Sequence, residues 1–253
     1  SRNLRPKQFL SLTKDGETMI QKTVKRISDV VSKEDIYIVT NAMYIPLVRE
    51  QIPDIPPENI LAEPCARNTA PCIALAGAVI SRKYDDAIML VLPSDHLISY
   101  ERLYINTLKK AIATALDGKN LVTIGITPTY AETGYGYINF GSETSAVNSD
   151  AYKVERFVEK PDLETAKQYL ASGKYLWNSG MFVWKVSSVM QNFRTFMPDI
   201  YEGAVRIGES YGTADFDEVL EKEFTSFRSE SIDFGIMEKA DDIYTISGSF
   251  GWD

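Results

Sequence analysis

The sequence predicts an α/β fold in which a mostly parallel mixed sheet is flanked by helices. The first observation is the uninterrupted apolar run from Ala87 to Leu92, which is typical of a strand buried on both faces. The second is the alternation of strand-like and helix-like segments up to Thr127, which favours parallel strands joined by right-handed crossovers. Pro93 should end the apolar strand, because its nitrogen has no hydrogen to donate to the sheet.

In the first half of the chain, apolar periodicity and turn residues define the elements. Pro71 suits the first turn of a helix, and the apolar sequence after it predicts that this helix is deeply buried. Gly118 is a natural end for a further helix. The predicted order is helix 18–31, strand 35–40, a helix beginning near Pro71, strand 87–92, helix 101–116 and strand 121–126.

Beyond Thr127 the alternation changes, because the strand-like segments 135–140 and 152–158 follow each other with no helix between them. Asp162 suits the N-cap of a helix that runs to about Leu170. Residues 176–186 are again strand-like, and residues 187–210 are helical. There is no linker or low-complexity tract, so we expect one domain over residues 1–253.

Composition and charge restrict the classes of function. The net charge of -8 argues against nucleic acid or an anionic membrane as partner, whereas an anionic small molecule stays compatible with local cations and helix N-termini. No apolar segment is long enough to cross a bilayer. Cys65 and Cys72 provide no disulfide framework, which favours a cytoplasmic enzyme with reduced thiols. The single histidine, His96, excludes a multi-histidine metal site.

Asp95 is the first candidate functional residue. It lies just beyond the predicted carboxyl end of strand 87–92, where open α/β sheets bind ligands. An aspartate at this place can equally cap the helix that follows. The rest of the sequence must therefore decide between the two roles.

Two segments carry charge or free backbone groups that a core does not need. Arg2, Arg5 and Lys7 stand close together near the start of the chain, although a solvated turn has the same composition. Residues 63–71 lead into the predicted buried helix, whose free N–H groups can receive an anion or a nucleobase edge. Asn68 or Thr69 can also serve simply as the cap of that helix.

Three further segments suit a polyhydroxylated, phosphorylated ligand. The glycines in 133–138 let backbone approach a ligand, or merely permit a β-bulge. The carboxylate of Glu159 can accept two sugar hydroxyls and the ammonium of Lys160 can neutralise a phosphate, or the two form an ordinary surface pair. Asn178 lies among aromatic residues, and a buried asparagine needs partners that a sugar can supply.

Together, and in their order along the chain, these motifs resemble those of the sugar-nucleotidyltransferase family. The resemblance covers essentially the whole chain, and residues 67–71 and 177–182 point to the guanylyl branch. It implies a Rossmann-like, mostly parallel mixed sheet of the nucleotide-diphospho-sugar transferase type. The matching motifs are Pro6–Leu10, Glu63–Pro64, Arg67–Pro71, Leu92–His96, Thr133–Ile138, Phe157–Pro161, Trp177–Phe182 and Ser231–Lys239.

The resemblance also implies a reaction, in which GTP and α-mannose 1-phosphate give GDP-mannose and pyrophosphate with Mg²⁺ as cofactor. The sugar-phosphate oxygen would attack the α-phosphorus of the nucleotide in line, so positioning and charge stabilisation would carry catalysis. The implied catalytic residues are Arg2, Lys7 and Asp95, of which Asp95 would be the metal ligand. The implied nucleotide-binding residues are Glu63, Asn68 and Thr69. The implied sugar-phosphate-binding residues are Gly136, Glu159, Lys160, Asn178 and Asp233.

Two features of the family are expected outside this sequence. A glycine-rich loop that holds the triphosphate should precede Ser1, and a second metal carboxylate should follow Asp253, because Gly251–Asp253 resembles the start of a Gly-Trp-x-Asp-x-Gly motif. We therefore expect the domain to lack its signature loop and its C-terminal continuation.

Two alternative functions stay open. One is a nucleotidyltransferase with another nucleotide or sugar specificity, and the other is a non-catalytic regulatory subunit that binds a sugar nucleotide. The partners expected in either case are small molecules. The sequence leaves the oligomeric state open, a homo-oligomer included.

Overall fold

The computed structural model describes residues 5–253, and its centre is a six-stranded mixed sheet with helices packed on both faces. The strands are β1 (Ile38–Asn41), β2 (Ile60–Glu63), β3 (Ile88–Val91), β4 (Leu121–Ile126), β5 (Tyr137–Thr144), β6 (Ala151–Val158), β7 (Tyr175–Lys185) and β8 (Ile243–Gly248). The helices are α1 (Met19–Arg26), α2 (Ile45–Gln51), α3 (Thr69–Lys83), α4 (Glu101–Leu116), α5 (Leu163–Ser172), α6 (Val186–Phe196), α7 (Pro198–Ser210) and α8 (Phe216–Ser226).

Helix boundaries follow local capping chemistry. Thr18 forms a capping box with Gln21 at the start of α1, and this helix ends earlier than the predicted 18–31. The predicted buried helix is confirmed in α3, which carries Pro71 in its first turn. The single helical stretch predicted for residues 187–210 is divided between α6 and α7, because Pro198 cannot donate the N–H that would continue the first helix. Within residues 5–253, no helix has the length and apolarity required to span a bilayer.

The prediction of a mostly parallel sheet is wrong. The strand order is β3-β7-β4-β8-β6-β5, and β5 also pairs with β7, so five strands close into a small barrel and β3 lies outside it. In the described residues, β4 and β8 pair in parallel, as do β1 and β2 in a separate two-stranded sheet, whereas the other pairings are antiparallel. The physical reason is that β5 and β6 are joined by a loop too short for a helical crossover, and that β7 inserts between β3 and β4 in the opposite direction.

The apolar strand β3 ends before Pro93, as predicted, but it is not buried on both faces. Met89 is buried, while Ile88, Leu90 and Val91 are half-buried. These three residues contribute to an apolar groove of about 510 Å³ that also includes residues of β1. The continuous apolar sequence of β3 is therefore explained by two environments, since the strand lines the groove as well as the core.

A bulge interrupts β7 opposite β4. Ile124 pairs with Met181 but Gly125 pairs with Asn178, so Ser179 and Gly180 have no partner on β4. The buried hydroxyl of Ser179 donates a hydrogen bond to the Ile124 carbonyl and accepts one from the Met181 N–H at 3.2 Å. Gly180 has a φ of +73°, a conformation that side chains with a Cβ rarely adopt. The Asn-Ser-Gly sequence therefore encodes this bulge.

Replacing Ser179 should destabilise the protein, because Ser179→Ala leaves the Ile124 carbonyl and the Met181 N–H without their buried partner. We expect a loss of about 1–3 kcal/mol in the free energy of unfolding, measured by urea denaturation. Ser28→Ala is the matched control, since its hydroxyl donates to a backbone carbonyl at an exposed position. Equal stability of the two variants would contradict a structural role for the bulge.

Candidate active site

The first group of candidate functional side chains lies at the carboxyl end of β3, around His96. The imidazole is largely buried, and its Nε2 lies 3.8 Å from Oδ1 of the half-exposed Asp95. Burial is the main cause that lowers the pKa of His96; the positive charges of Lys7 and Arg26 act in the same direction, and Asp95 and Asp253 oppose them. Lys7 and Asp95, two of the predicted catalytic residues, thus both act electrostatically on His96. Arg2 lies outside the described residues.

Residues 250–253 pack onto the loop that carries Asp95. Leu97 and Asp253 exchange two backbone hydrogen bonds of 2.8 and 3.1 Å, and Ile98 forms a β-bridge with Trp252. The Trp252 Nε1–H donates a hydrogen bond of 3.0 Å to Nδ1 of His96. These contacts place Asp253 beside the His96 group.

A second group of polar residues forms around the β7 bulge. The Asn178 side chain donates from Nδ2 to Oδ1 of Asp233 at 2.9 Å, and its Oδ1 accepts the Gly180 N–H at 3.0 Å. The Asn178 backbone N–H donates to the Gly136 carbonyl at 2.9 Å. Asp233 begins a π-helical turn (Asp233–Met237), an irregularity often found at functional sites. Three predicted sugar-binding residues, Gly136, Asn178 and Asp233, are therefore neighbours.

Carboxyl groups converge on this second group. Burial, helped by the negative charge of Glu159, raises the pKa of Asp233, although the hydrogen bond from Asn178 opposes the shift. Burial and the charges of Glu159 and Asp233 also raise the pKa of Glu238. Glu159 and Lys160 are exposed immediately beyond β6. Such a cluster of acceptors suits the hydroxyl groups of a sugar.

Gly136 allows two backbone segments to approach each other closely at this group. A Cβ at Gly136 would lie 3.3 Å from the Val158 carbonyl oxygen, which is tighter than ordinary van der Waals contact. The glycine therefore brings the start of β5 against the end of β6, next to Glu159. The irregular pairing between these two strands lies further along β5, after Asn139.

The predicted nucleotide-binding segment follows β2. Glu63 is half-buried at the end of that strand, and desolvation raises the pKa of its carboxyl group to about 7. Burial and the charge of Glu63 raise the pKa of the Cys72 thiol. Asn68 caps α3 by accepting the Thr69 N–H at 2.8 Å, so the capping role considered for it is confirmed.

The predicted nucleotide and sugar segments lie side by side. The Thr69 hydroxyl accepts the Ile232 N–H at 2.8 Å, and the Ala70 N–H donates to the Glu230 carbonyl at 3.0 Å. These bonds attach the start of α3 to the segment that carries Asp233. Thr69 therefore has a structural role in addition to the one predicted for it.

Sequence reasoning missed two residues of this region, Glu238 and Arg26, and one contact, between His96 and Trp252. Glu238 belongs to the 231–239 motif, so its position beside Asp233 could have been anticipated. The hydrogen bond between His96 and Trp252 has no local sequence signal, because the two residues are far apart in the chain. Arg26 is buried on α1 with its guanidinium 5.6 Å from the centre of the Tyr104 ring, and burial lowers its pKa.

The donor set near Asp95 fits a hard cation that is shared with phosphates. Among residues 5–253, no three His, Cys, Asp or Glu side chains cluster as a complete metal site. Mg²⁺ is commonly bound by one or two carboxylates together with substrate phosphate oxygens, and it keeps several waters. The half-exposed carboxylate of Asp95 fits that role.

The fold and these two groups of polar residues define the class of protein. A family profile described as "Nucleotidyl transferase" matches residues 1–221. The chain belongs to the nucleotidyl transferase family.

Individual relatives within the family show high sequence identity to this chain. The chain is 42% identical over 258 residues to mannose-1-phosphate guanylyltransferase RfbM of Salmonella typhimurium, and the match covers 100% of this chain and 52% of that protein. The chain thus spans about half the length of the curated relatives it matches.

Two solved structures have the same fold over the whole chain. The first, titled mannose-1-phosphate geranyltransferase and coming from Thermus thermophilus, has a TM-score of 0.88 and 32% identity, with 100% of this chain and 70% of that chain covered. The second, titled mannose-6-phosphate isomerase and coming from Helicobacter pylori, has a TM-score of 0.83 and 32% identity, with coverages of 100% and 96%.

The raised pKa of Glu63 predicts a pH dependence of stability. Since the pKa is about 7 in the folded protein and its ordinary value is 4.5, the folded state holds more protons between these values, and stability falls as pH rises through them. Glu63→Gln should remove this slope. Near pH 8 its free energy of unfolding should exceed that of the wild type by about 1 kcal/mol, which is less than the full pKa shift implies because Glu63 is partly exposed to solvent. Urea unfolding at several pH values measures the difference.

The control for this experiment is Glu50→Gln, which changes an exposed carboxylate on α2. We expect it to keep the pH slope of the wild type. If the difference in free energy of unfolding between Glu63→Gln and the wild type is the same at low and at high pH, the proposed effect of burial on Glu63 is contradicted.

Proposed function

We propose that this chain carries out guanylyl transfer from GTP to α-mannose 1-phosphate, which yields GDP-mannose and pyrophosphate. The observation that carries the proposal is the adjacency of two unlike groups of residues. Lys7 and Asp95 belong to a group suited to phosphate chemistry, and Asn178 and Asp233 belong to a group suited to sugar hydroxyls. The two groups approach each other where the β7 bulge runs beside the end of β3, since a Cβ on Gly180 would lie 3.6 Å from Cγ of Pro93.

At the phosphate end, the chain's own residues position charge. In the proposed reaction an oxygen of the sugar phosphate attacks the α-phosphorus of GTP. The bond between the α-phosphorus and the oxygen that joins it to the β-phosphorus breaks, and pyrophosphate leaves with the electron pair of that bond. The Lys7 ammonium would hold phosphate oxygens and oppose the charge that accumulates on them. No protein nucleophile is needed, which agrees with a site built from a cation and carboxylates.

Asp95 is the residue that would hold Mg²⁺ at this end. When bound, the ion would neutralise phosphate charge and orient the phosphate oxygens. Asp95 itself would present its half-exposed carboxylate to the ion, and His96 lies beside it, with Nε2 3.8 Å from Oδ1 of Asp95.

At the sugar end, oriented acceptors would select the hydroxyl pattern. Asn178 is fixed by its bonds to Gly180 and Asp233, so it holds the Asp233 carboxyl in place. Asp233 and Glu159 would then accept hydrogen bonds from mannose hydroxyls, with Lys160 close to the sugar phosphate.

At the nucleotide end, Glu63 would read the base. Guanine offers adjacent N–H donors along its pairing edge, and a half-buried carboxyl group is a matching acceptor. Asn68 and Thr69 at the start of α3 would lie toward the ribose. Such a pairing would discriminate strongly between guanine and other bases, because a base that lacks these N–H donors would leave the desolvated carboxyl group of Glu63 without a hydrogen-bond partner.

The names of the relatives support the sugar assignment. The Salmonella protein is named for a guanylyl transfer to mannose 1-phosphate, and the titles of both solved structures also contain a phosphorylated mannose. We place the reaction in the cytoplasm, where free thiols such as Cys65 and Cys72 stay reduced.

Incubation of the protein with GTP, mannose 1-phosphate and Mg²⁺ tests the proposal by release of pyrophosphate and formation of GDP-mannose. Competition among GTP, UTP and dTTP, and among sugar phosphates, separates guanylyl transfer from another specificity. Nucleotide binding without pyrophosphate release would favour the regulatory-subunit alternative instead.

Asp95→Asn should lose turnover by more than about 100-fold while the protein keeps its fold, because an amide is a poor ligand for a hard cation. The measurements are kcat by pyrophosphate release and thermal unfolding by circular dichroism. Asp54→Asn is the control, since Asp54 is an exposed aspartate whose ion pair with Lys33 does not involve the candidate site. Wild-type turnover in Asp95→Asn would remove this residue from the proposed metal site.

Asp233→Asn should act on the sugar alone. Loss of a charged acceptor should raise KM for mannose 1-phosphate about 10-fold or more and leave KM for GTP within about 2-fold. Initial-rate kinetics with each substrate varied in turn measure both constants, and Glu221→Gln on the exposed face of α8 is the control. Equal increases in both KM values would argue against a sugar-specific role.

A further inference from the structure

The proposed reaction assigns no role to His96, the single histidine of the chain. Its Nδ1 accepts a hydrogen bond of 3.0 Å from Trp252 Nε1–H, and the two rings meet edge to face with centroids 5.2 Å apart. An indole N–H can only donate, so Nδ1 must be the unprotonated nitrogen. The imidazole is therefore neutral and carries its proton on Nε2.

The protonated nitrogen faces a predicted catalytic carboxylate. Nε2 of His96 lies 3.8 Å from Oδ1 of Asp95, which is longer than a hydrogen bond, so the interaction is that of an N–H dipole with a nearby charge. The His96 side chain is 18% exposed and that of Asp95 is 46% exposed. The imidazole is thus the more buried of the two side chains.

Trp252 is itself held by the fold. Its backbone forms a bridge with Ile98, and the flanking Asp253 exchanges two hydrogen bonds with Leu97. Its indole also contacts the ring of Tyr135, with centroids 5.1 Å apart. The donor to His96 is therefore anchored to the loop of Asp95 and to the glycine-containing turn before β5.

We propose that Trp252 and His96 act as a positioning pair for Asp95: Trp252 fixes His96 in the Nε2–H tautomer, and this N–H holds the Asp95 carboxylate toward the cleft. The proposal deepens the proposed function and rests on it for the role of Asp95. The part that concerns the tautomer of His96 does not depend on the proposed function and can be tested without an activity assay. Partners that orient a metal-binding side chain typically contribute about 10–100-fold to metal affinity or activity.

The alternative is that the contact merely packs the segment 250–253 onto its neighbours. A packing contact would contribute to stability without fixing which nitrogen carries the proton. The experiment therefore needs a direct measurement of the tautomer and a pair of variants that separate the two nitrogens.

The tautomer can be read without resonance assignment, because the chain has one histidine. Long-range ¹H–¹⁵N correlation spectra of protein labelled at histidine should show an unprotonated Nδ1 and a protonated Nε2. Trp252→Phe keeps an aromatic ring but removes the donor, and we expect a mixture of tautomers. Trp184→Phe makes the same change at an indole that donates to Met89 instead, and it should leave the tautomer unchanged. A protonated Nδ1 in the wild type, or an unchanged tautomer in Trp252→Phe, would overturn the proposal.

Two substitutions at His96 then separate its two nitrogens. The amide of His96→Asn can accept from Trp252 in place of Nδ1 but does not reach Asp95, whereas the longer His96→Gln can present an N–H where Nε2 was. We expect kcat to fall about 10–100-fold in His96→Asn with little change in either KM, and to be largely retained in His96→Gln. Wild-type kcat in His96→Asn, or equal losses in both variants, would overturn the positioning role.

The two levels of proposal fail in different ways. Absence of GDP-mannose formation by the wild type would refute the proposed function, while the tautomer spectra would still decide whether Trp252 controls His96. Conversely, an active wild type whose tautomer does not respond to Trp252→Phe would refute the positioning pair alone.

Discussion

Strand β7 has to pair with three other strands, and this requirement shapes both the sheet and the site. Its first residues pair with β5, its middle with β4 and its last with β3. The strand meets this requirement with a bulge at Ser179–Gly180, where the pairing with β4 is interrupted. The same bulge directs Asn178 to Asp233 and sets Gly180 against Pro93. Closure of the barrel and the geometry of the site therefore depend on one irregularity.

The distribution of charge reconciles an acidic protein with anionic substrates. Lys7 and Arg26 both act on His96 at the carboxyl end of β3, whereas Glu159, Asp233 and Glu238 converge at the bulge. In the proposed reaction the first group would face phosphates and the second would face neutral hydroxyls. Burial of Asp233 disfavours its ionised form and so raises its pKa, and hydroxyl donors would offset that loss of solvation. Local charge, rather than the net charge, decides which part of a substrate each group suits.

The sequence was informative wherever a signal is local. The strand at Leu121–Ile126 and the cap at Asp162 have their predicted positions, and Pro93 follows the end of β3. The pairing directions could not be derived, because they depend on where β7 inserts between strands that precede it by many residues. Motif order placed Asn178 and Asp233 in one ligand-binding region, and the structure brings them into contact. The bond from Trp252 to His96 had no such signal, because it forms only when residues 250–253 meet the loop after β3.

The contact between residues 250–253 and the loop after β3 explains how Asp95 can have a defined position although it lies on a loop. The loop after β3 forms backbone hydrogen bonds with residues 250–253, through the N–H groups of Leu97, Ser99 and Tyr100. Gly251 permits this contact, since it has a φ of +68° and a Cβ there would lie 2.5 Å from the Ser99 Cβ. On its other side the loop meets the β7 bulge through Pro93. Asp95 thus lies on a segment held from both sides, so the backbone is fixed before any ligand arrives, and what remains free is the rotation of its carboxylate. A neighbouring N–H that faces this carboxylate, as His96 Nε2–H does, is the group able to limit that last freedom.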